Sequence, residues 1–293
     1  MSTSDPAGEL FELEMIGEGI ERRYRKMRPE VETMPWGTME VSRLPENALV
    51  AARRAWTGAA FQEHRTGIAC CATLRALMEC RAPLDLVAMA SRFPLDEMVH
   101  VELCARLAME LGGGTEIRHD STFLVADARA DLSPLMRAAE LVVRFFCVGE
   151  ALSIPLLKGT ARAATHPLPR AILSRIVRDE AAHGTFGYTF LDWAGSRLGA
   201  DDRTYLGRVA DGAIESVHRQ WAEIRRRRGP QIEGDGLGWM RSDAYLALAS
   251  RSLERQVIRP LTARGIPLAV SRRGTAPDER AAPVLPAPPS VAP

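Results

Sequence analysis

The sequence predicts an all-α fold in which four helices share one interior and two further helices follow at the C-terminal end. Three observations carry that expectation. A pattern occurs twice: Glu63 is followed 34 positions later by Glu97-Met98-Val99-His100, and Glu150 is followed 30 positions later by Glu180-Ala181-Ala182-His183. A helix of about 20 residues spans about 30 Å, so a step of about 30 to 34 residues returns an antiparallel neighbour to the same depth. The surroundings of the glutamates are also too apolar for a surface, as in Leu141-Val142-Val143-Arg144-Phe145-Phe146-Cys147-Val148-Gly149-Glu150.

The elements follow in order. Residues 1–46 mix Gly, Pro and scattered apolar residues and are expected to form an extended arm on the helical domain. Helical spacing without proline runs from Glu46 to about Glu79 and carries Glu63. After Pro83 a short helix to about Arg92 is expected, and Pro94 then suits the first turn of a second helix that stops at Gly112-Gly113-Gly114. Thr122-Phe123-Leu124-Val125 is the strand-like piece of the next connection. The third helix spans about Ser133 to Ala164, with a kink at Pro155. The fourth opens at Pro167–Pro169 and reaches Leu198. A fifth covers about Asp201 to Arg228 and a sixth about Ser242 to Ala263. The domain is therefore placed at 47–264, and 265–293 is read as a Pro-rich disordered tail.

Glutamate and histidine three residues apart share a helix face, so each pair points at one object. One such pair is commonplace on a solvated helix. Two copies, each with a lone glutamate one helix-plus-turn upstream, form a ligand set for two metal ions inside four helices. Buried unpaired carboxylates are costly, and a cation resolves the cost. The alternative is four helices with coincidental carboxylates.

This order of Glu, Asp-Glu-x-x-His, Glu, Asp-Glu-x-x-His, over about residues 47–200, resembles the ferritin-like diiron carboxylate superfamily. That group includes diiron oxygenases, acyl-carrier-protein desaturases and ribonucleotide reductase small subunits, and the spacing is most similar to that of arylamine N-oxygenases. The resemblance implies a ferritin-like four-helix bundle holding two iron ions, with manganese as the alternative and dioxygen as co-substrate. Glu97 and Glu180 would bridge the ions, Glu63 with His100 completing one and Glu150 with His183 the other. Asp96 and Asp179 would each hold the histidine of the opposite helix by its outer N–H. Two positions depart from the relatives. The extra histidine of the N-oxygenases, four residues before the second motif's glutamate, is Ile176 here. The redox tyrosine of radical-generating subunits, four residues after the first histidine, is Cys104.

Other residues receive lesser roles. His64 lies about 100° from Glu63 around the helix and is expected to be structural. His119, His166 and His218 are expected to be exposed. A substrate pocket one or two turns from the ligands would draw on Phe61, Thr66, Gly67, Cys70, Phe146, Cys147, Ser153, Gly184 and Tyr188, although a helical core carries such residues routinely. Five cysteines with no C-x-x-C read as buried thiols. A net charge of +1 offers no field for nucleic acid, and no apolar run or leader-like start appears. A cytoplasmic protein is expected. Its partners would be a small-molecule substrate and, since no flavin or nicotinamide fingerprint is present, an external reductase or ferredoxin. Homodimerisation is left open. The leading expectation is an oxygen-activating oxidoreductase. The alternatives are a ferritin-like ferroxidase and a manganese catalase-like peroxidase.

Overall fold

A computed structural model describes residues 8–226 and 236–269 of the chain, and it is all-α apart from one two-residue strand pair. The helices are α1 (Glu18–Met27), α2 (Glu46–Glu79), α3 (Leu84–Glu110), α4 (Pro134–Leu141), α5 (Ala151–Ala163), α6 (Pro167–Ala194), α7 (Ala200–Arg226), α8 (Ser242–Ser252) and α9 (Arg259–Ala263). Two wide turns, bonded i→i+5, join α4 to α5 (Val142–Glu150) and α8 to α9 (Leu253–Ile258). Each therefore makes one continuous helical rod with its neighbours. None of the described helices is long and apolar enough to cross a membrane.

Helix α2 packs along α3, α3 against α6, α6 against α5 and its preceding wide turn, and α4 back against α2. Four rods thus close a ring. Helix α7 covers the wide turn and α8 covers α5. The apolar interior divides into two clusters. On α2, Ala52, Trp56 and Ala60 belong to one, and Cys70, Ala76 and Leu77 to the other. On α3 the same change falls between Phe93 and Val99, and on α6 between Ile176 and Phe186. Glu63, Glu97, Glu180 and His183 lie within those joins and His100 just past Val99, so a polar layer sits between two apolar clusters.

Several elements differ from expectation. Pro94 does not start a helix; it lies inside α3, which runs unbroken from Leu84. The helix continues because its neighbours on this face are packed into the core: Phe93 is buried and meets Phe146, Phe186 and the His183 ring, with centroids 5.6, 5.2 and 4.2 Å away. Pro155, by contrast, sits inside a helix as expected, within α5. Residues Ser121–Leu124 form a short 3-10 turn capped by Asp120, which accepts from the Thr122 N–H at 2.8 Å. The strand in this connection is instead Arg118–His119, β2, antiparallel to Glu9–Leu10, β1.

The N-terminal arm is not merely extended. It contains α1 and is pinned to α3 by Arg28, fully buried, whose Nε lies 2.6 Å from Glu102 while Nη1 donates to Glu32 at 2.6 Å. Past α9, Ile266 and Leu268 are buried in the larger cluster, so packing continues beyond residue 265. The rest of the expected tail, and the last two residues of the expected fifth helix, lie outside the described residues.

The wide turn approaches α6 where Gly187 presents no side chain. A Cβ there would stand 3.0 Å from the Cys147 backbone nitrogen and 3.0 Å from Phe146 Cβ. Gly187→Val is therefore predicted to cost about 1–3 kcal/mol of stability through overpacking, read as a lowered denaturant midpoint. A wild-type midpoint would show that this contact does not constrain the fold.

Candidate metal centre

The six motif residues meet in the ring interior. One group brings together Glu63, Glu97, His100 and Glu180, and another Glu97, Glu150, Glu180 and His183, with the potential ligand atoms of each group within 4.8 Å of one another. Glu97 and Glu180 belong to both. They come from the two middle helices, α3 and α6, whose Glu-x-x-His pairs face each other; Glu63 arrives from α2 and Glu150 from the end of the wide turn. That wide turn has no separate signal in the sequence, yet it sets the direction in which Glu150 points. The Ser153 hydroxyl donates to the Glu150 carbonyl at 2.9 Å and lies 3.3 Å from its carboxylate.

The contacts have a particular character. His183 Nδ1 is 3.1 Å from Glu97 Oε1 and 3.1 Å from Glu180 Oε2, and His100 Nδ1 is 3.3 Å from Glu180 Oε1. Even so, both Glu97 oxygens, Glu180 Oε2 and both Nδ1 atoms are buried without a hydrogen bond of proper geometry. The atoms are close but do not aim at one another. Buried polar groups in folded proteins are almost always paired, so a cluster of orphans this dense fits a cation better than it fits hydrogen bonds. Two imidazoles with four carboxylates suit iron or manganese, and no thiolate joins the set.

The electrostatics agree. Burial pushes the Glu63 carboxyl up to about 8, aided by the nearby Glu97 charge and opposed by His100. Burial likewise raises Glu150 well above the usual carboxylate range, with Glu180 and Glu97 adding to it. Burial works against protonation of both histidines, but the surrounding carboxylates outweigh it: His183 is raised to about 12 and His100 well above its ordinary value. Burial also opposes ionisation of Glu180, yet its two histidine partners hold it below the usual range. Without a metal, the cluster needs protons to balance its charge.

The outer ring nitrogens turn away from the carboxylate centre. His100 Nε2 is 3.4 Å from Asp179 Oδ2, and His183 Nε2 is 3.6 Å from Asp96 Oδ2. Each aspartate is in turn gripped from its own helix. Arg175 Nε donates to Asp179 at 2.6 Å, and Arg92 Nε lies 3.0 Å from Asp96. Sequence reasoning missed both arginines, although the signal was there. The repeated unit is nine residues long, Arg-x-x-x-Asp-Glu-x-x-His, at 92–100 and again at 175–183.

A cavity of about 610 Å³ opens onto Glu63, Glu150 and Glu180. Of the expected pocket residues, Thr66 and Ser153 line it. The others serve packing. Phe61 meets Phe11 and stacks on His119, with both centroid distances 5.1 Å. Gly67 lets α2 approach Met98 and Glu97, and Gly184 faces Ile154. Cys70 and Phe146 are buried in the larger apolar cluster. Cys147 abuts Gly187, and its carbonyl accepts from the Tyr188 hydroxyl at 2.9 Å. His64 points off the site, edge-on to Phe11 at 5.5 Å. His119, expected to be exposed, is buried under Phe61 because the strand pair folds it inward. His166 caps α6, accepting from the Leu168 N–H at 3.2 Å, and His218 is exposed.

Compared with known proteins, the chain matches no family model, no curated protein and no solved structure.

Two predictions follow from this geometry. His100→Ala and His183→Ala should each abolish retention of at least one metal ion, whereas His64→Ala keeps the full complement; metal analysis after gel filtration decides, and equal loss in all three would refute the assignment by helix face. Asp179→Asn should leave the fold intact and weaken metal affinity by about 10- to 100-fold, the usual cost of an outer carboxylate. Arg175→Gln should shift affinity in the same direction and Arg178→Gln should do so less, because Arg178 pairs mainly with Glu30 and stands 3.9 Å from Asp179, against 2.6 Å for Arg175. Competition with a chelator of known affinity measures all three, and identical affinities throughout would reduce Asp179 to a packing residue.

Proposed function

We propose that the chain is a non-haem diiron oxygenase or oxidase of ferritin-like four-helix design, acting on a small organic molecule. The single observation behind this reading is the merging of the two residue groups through Glu97 and Glu180, beside a 610 Å³ cavity that reaches Glu63, Glu150 and Glu180. Four carboxylates match the charge of two divalent ions, and the residues present fit such a pair. When bound, two iron ions (manganese being the alternative) supply the reduction of dioxygen that drives hydroxylation, N-oxygenation, desaturation or oxidative cleavage of a substrate.

The chain's own residues set the conditions. Glu97 and Glu180, from facing helices, hold the two halves of the centre together. His100 and His183 present Nδ1 inward because Asp179 and Asp96 lie against their Nε2 atoms. For His100 this contact is a hydrogen bond at 3.4 Å that sets ring orientation and tautomer; for His183 it is a looser approach of 3.6 Å. The two apolar clusters keep water from the sides of the centre, so access is by way of the cavity, where the Glu63 side chain retains 17% exposure. The space beside the ligands is what favours an organic substrate over iron storage. Electrons are assigned to a separate reductase or ferredoxin.

The test is stoichiometric. After anaerobic titration to two ferrous ions per chain, a single addition of dioxygen should consume about one equivalent per chain, and the cycle should repeat after re-reduction. Glu150→Ala should lose that uptake. Iron accumulation far beyond two ions per chain would instead support storage, and oxygen release from hydrogen peroxide by a manganese-loaded chain would support a catalase-like role.

A further inference from the structure

Once Glu63, Glu150 and Glu180 are assigned to the metal centre, the cavity holds three arginines against one carboxylate. Arg65 on α2, Arg144 on the wide turn and Arg208 on α7 line it, and apart from the three metal-site glutamates its lining holds one carboxylate, Glu140. Glu140 is already engaged: the Tyr205 hydroxyl donates to it at 2.6 Å and the Arg129 N–H at 3.4 Å, while Arg144 Nη1 stands 4.0 Å away.

Arg65 donates Nε to the Phe123 carbonyl at 3.1 Å and Nη1 to the Gln62 amide at 2.7 Å. Among the described residues no carboxylate comes within ion-pairing distance of it. Arg144 donates Nη2 to the Asp127 carbonyl at 3.2 Å, its guanidinium lies 4.4 Å from the Phe145 ring centroid, and its Nε is buried with no partner.

A guanidinium offers five donors in a fixed fork suited to a carboxylate. Partial withdrawal from water leaves such a fork short of partners: Arg65 has no carboxylate beside it, and Arg144, 23% exposed, has only Glu140 at 4.0 Å, which Tyr205 already engages. A purely structural account has both arginines tying residues 123–127 across the cavity mouth. That account uses one donor of each, requires no charge, and leaves Arg144 Nε unexplained.

We propose that the cavity takes an organic anion: a carboxylate with an apolar aryl or medium-chain body, its head on Arg65 and Arg144 and its body passing Phe145 and Gly149 toward Glu150. This rests on the reading of the centre as one that oxidises an organic substrate. Arg144 precedes Glu150 by six residues, at most about 9 Å of helix axis. That separation suits a body of one ring or a short chain.

The probes are 4-phenylbutyrate and its neutral counterpart 4-phenylbutanamide, titrated calorimetrically into the full chain as purified. The carboxylate should bind about ten-fold or more tighter than the amide, as a charge-assisted pair implies. In Arg65→Gln and Arg144→Gln that advantage should vanish while amide affinity holds, and Arg65→Lys and Arg144→Lys should retain part of it. Equal affinity of the wild type for both probes would overturn the proposal. So would parallel loss of both probes in well-folded Gln variants, which would mark the arginines as anchors of the 123–127 segment. If the Gln variants fail to fold, the wild-type ratio and the Lys variants decide. Metal content of the same samples separates the two claims. Two metal ions per chain with no carboxylate preference would end the anion site alone. An arginine-dependent preference in a chain that binds no metal would end the oxygenase reading and leave the anion site standing.

Discussion

The rest of this structure depends on the cost of holding four carboxylates and two imidazoles together in the interior. Glu97, His100, Glu180 and His183 are at most 2% exposed, in surroundings where an uncompensated charge is prohibitive. The fold stacks apolar residues on both sides of the Glu/His layer and sets Arg92 and Arg175 behind Asp96 and Asp179, on the side away from the cavity. The resulting order on that side is glutamates, histidines, aspartates, arginines. Charge alternates outward from the centre, so each shell makes the next tolerable.

Backbone choices serve the same end. The wide turn at Val142–Glu150 departs from regular α-helix where the rod must deliver Glu150 to the centre and Arg144 to the cavity wall. Irregular turns of this kind concentrate at functional sites because they re-aim side chains at some expense in helix geometry. Pro155 withdraws a backbone donor one turn later, and Ser153 bonds to the Glu150 carbonyl in that region. The arm contributes from outside: Tyr24 donates to the Met98 carbonyl at 3.3 Å and Arg28 grips Glu102. Both contacts fall on α3 directly beside Glu97 and His100.

What the sequence made legible follows the strength of its periodic signals. Helix α2 begins at Glu46 and ends at Glu79 as expected, because an uninterrupted apolar stripe and flanking prolines define both ends. The convergence of Glu63, Glu97, His100, Glu150, Glu180 and His183 was readable from spacing, since residues three apart share a face and one helix-plus-turn restores depth. Pro94 misled because its local preference for a first turn was overridden by the packing of Phe93. The wide turn was invisible because its nine residues are apolar on nearly every side and fit a regular helix equally well. His119 was misplaced because its burial depends on a strand pairing with residues more than one hundred positions away. The pocket residues were chosen by proximity in sequence to the ligands. Most of those side chains face neighbouring helices, while the cavity is closed by other faces of α2 and the α4–α5 rod together with α7 and the 123–126 segment, which sequence proximity to the glutamates does not reveal.

The central claim is that two metal ions occupy the space shared by Glu97 and Glu180. Anomalous difference density from crystals of the chain loaded with iron or manganese tests it most directly. Two peaks are expected, one among Glu63, Glu97, Glu180 and His100 and the other among Glu97, Glu150, Glu180 and His183. A single peak, or density elsewhere on the molecule with this cluster vacant under saturating metal, would contradict it.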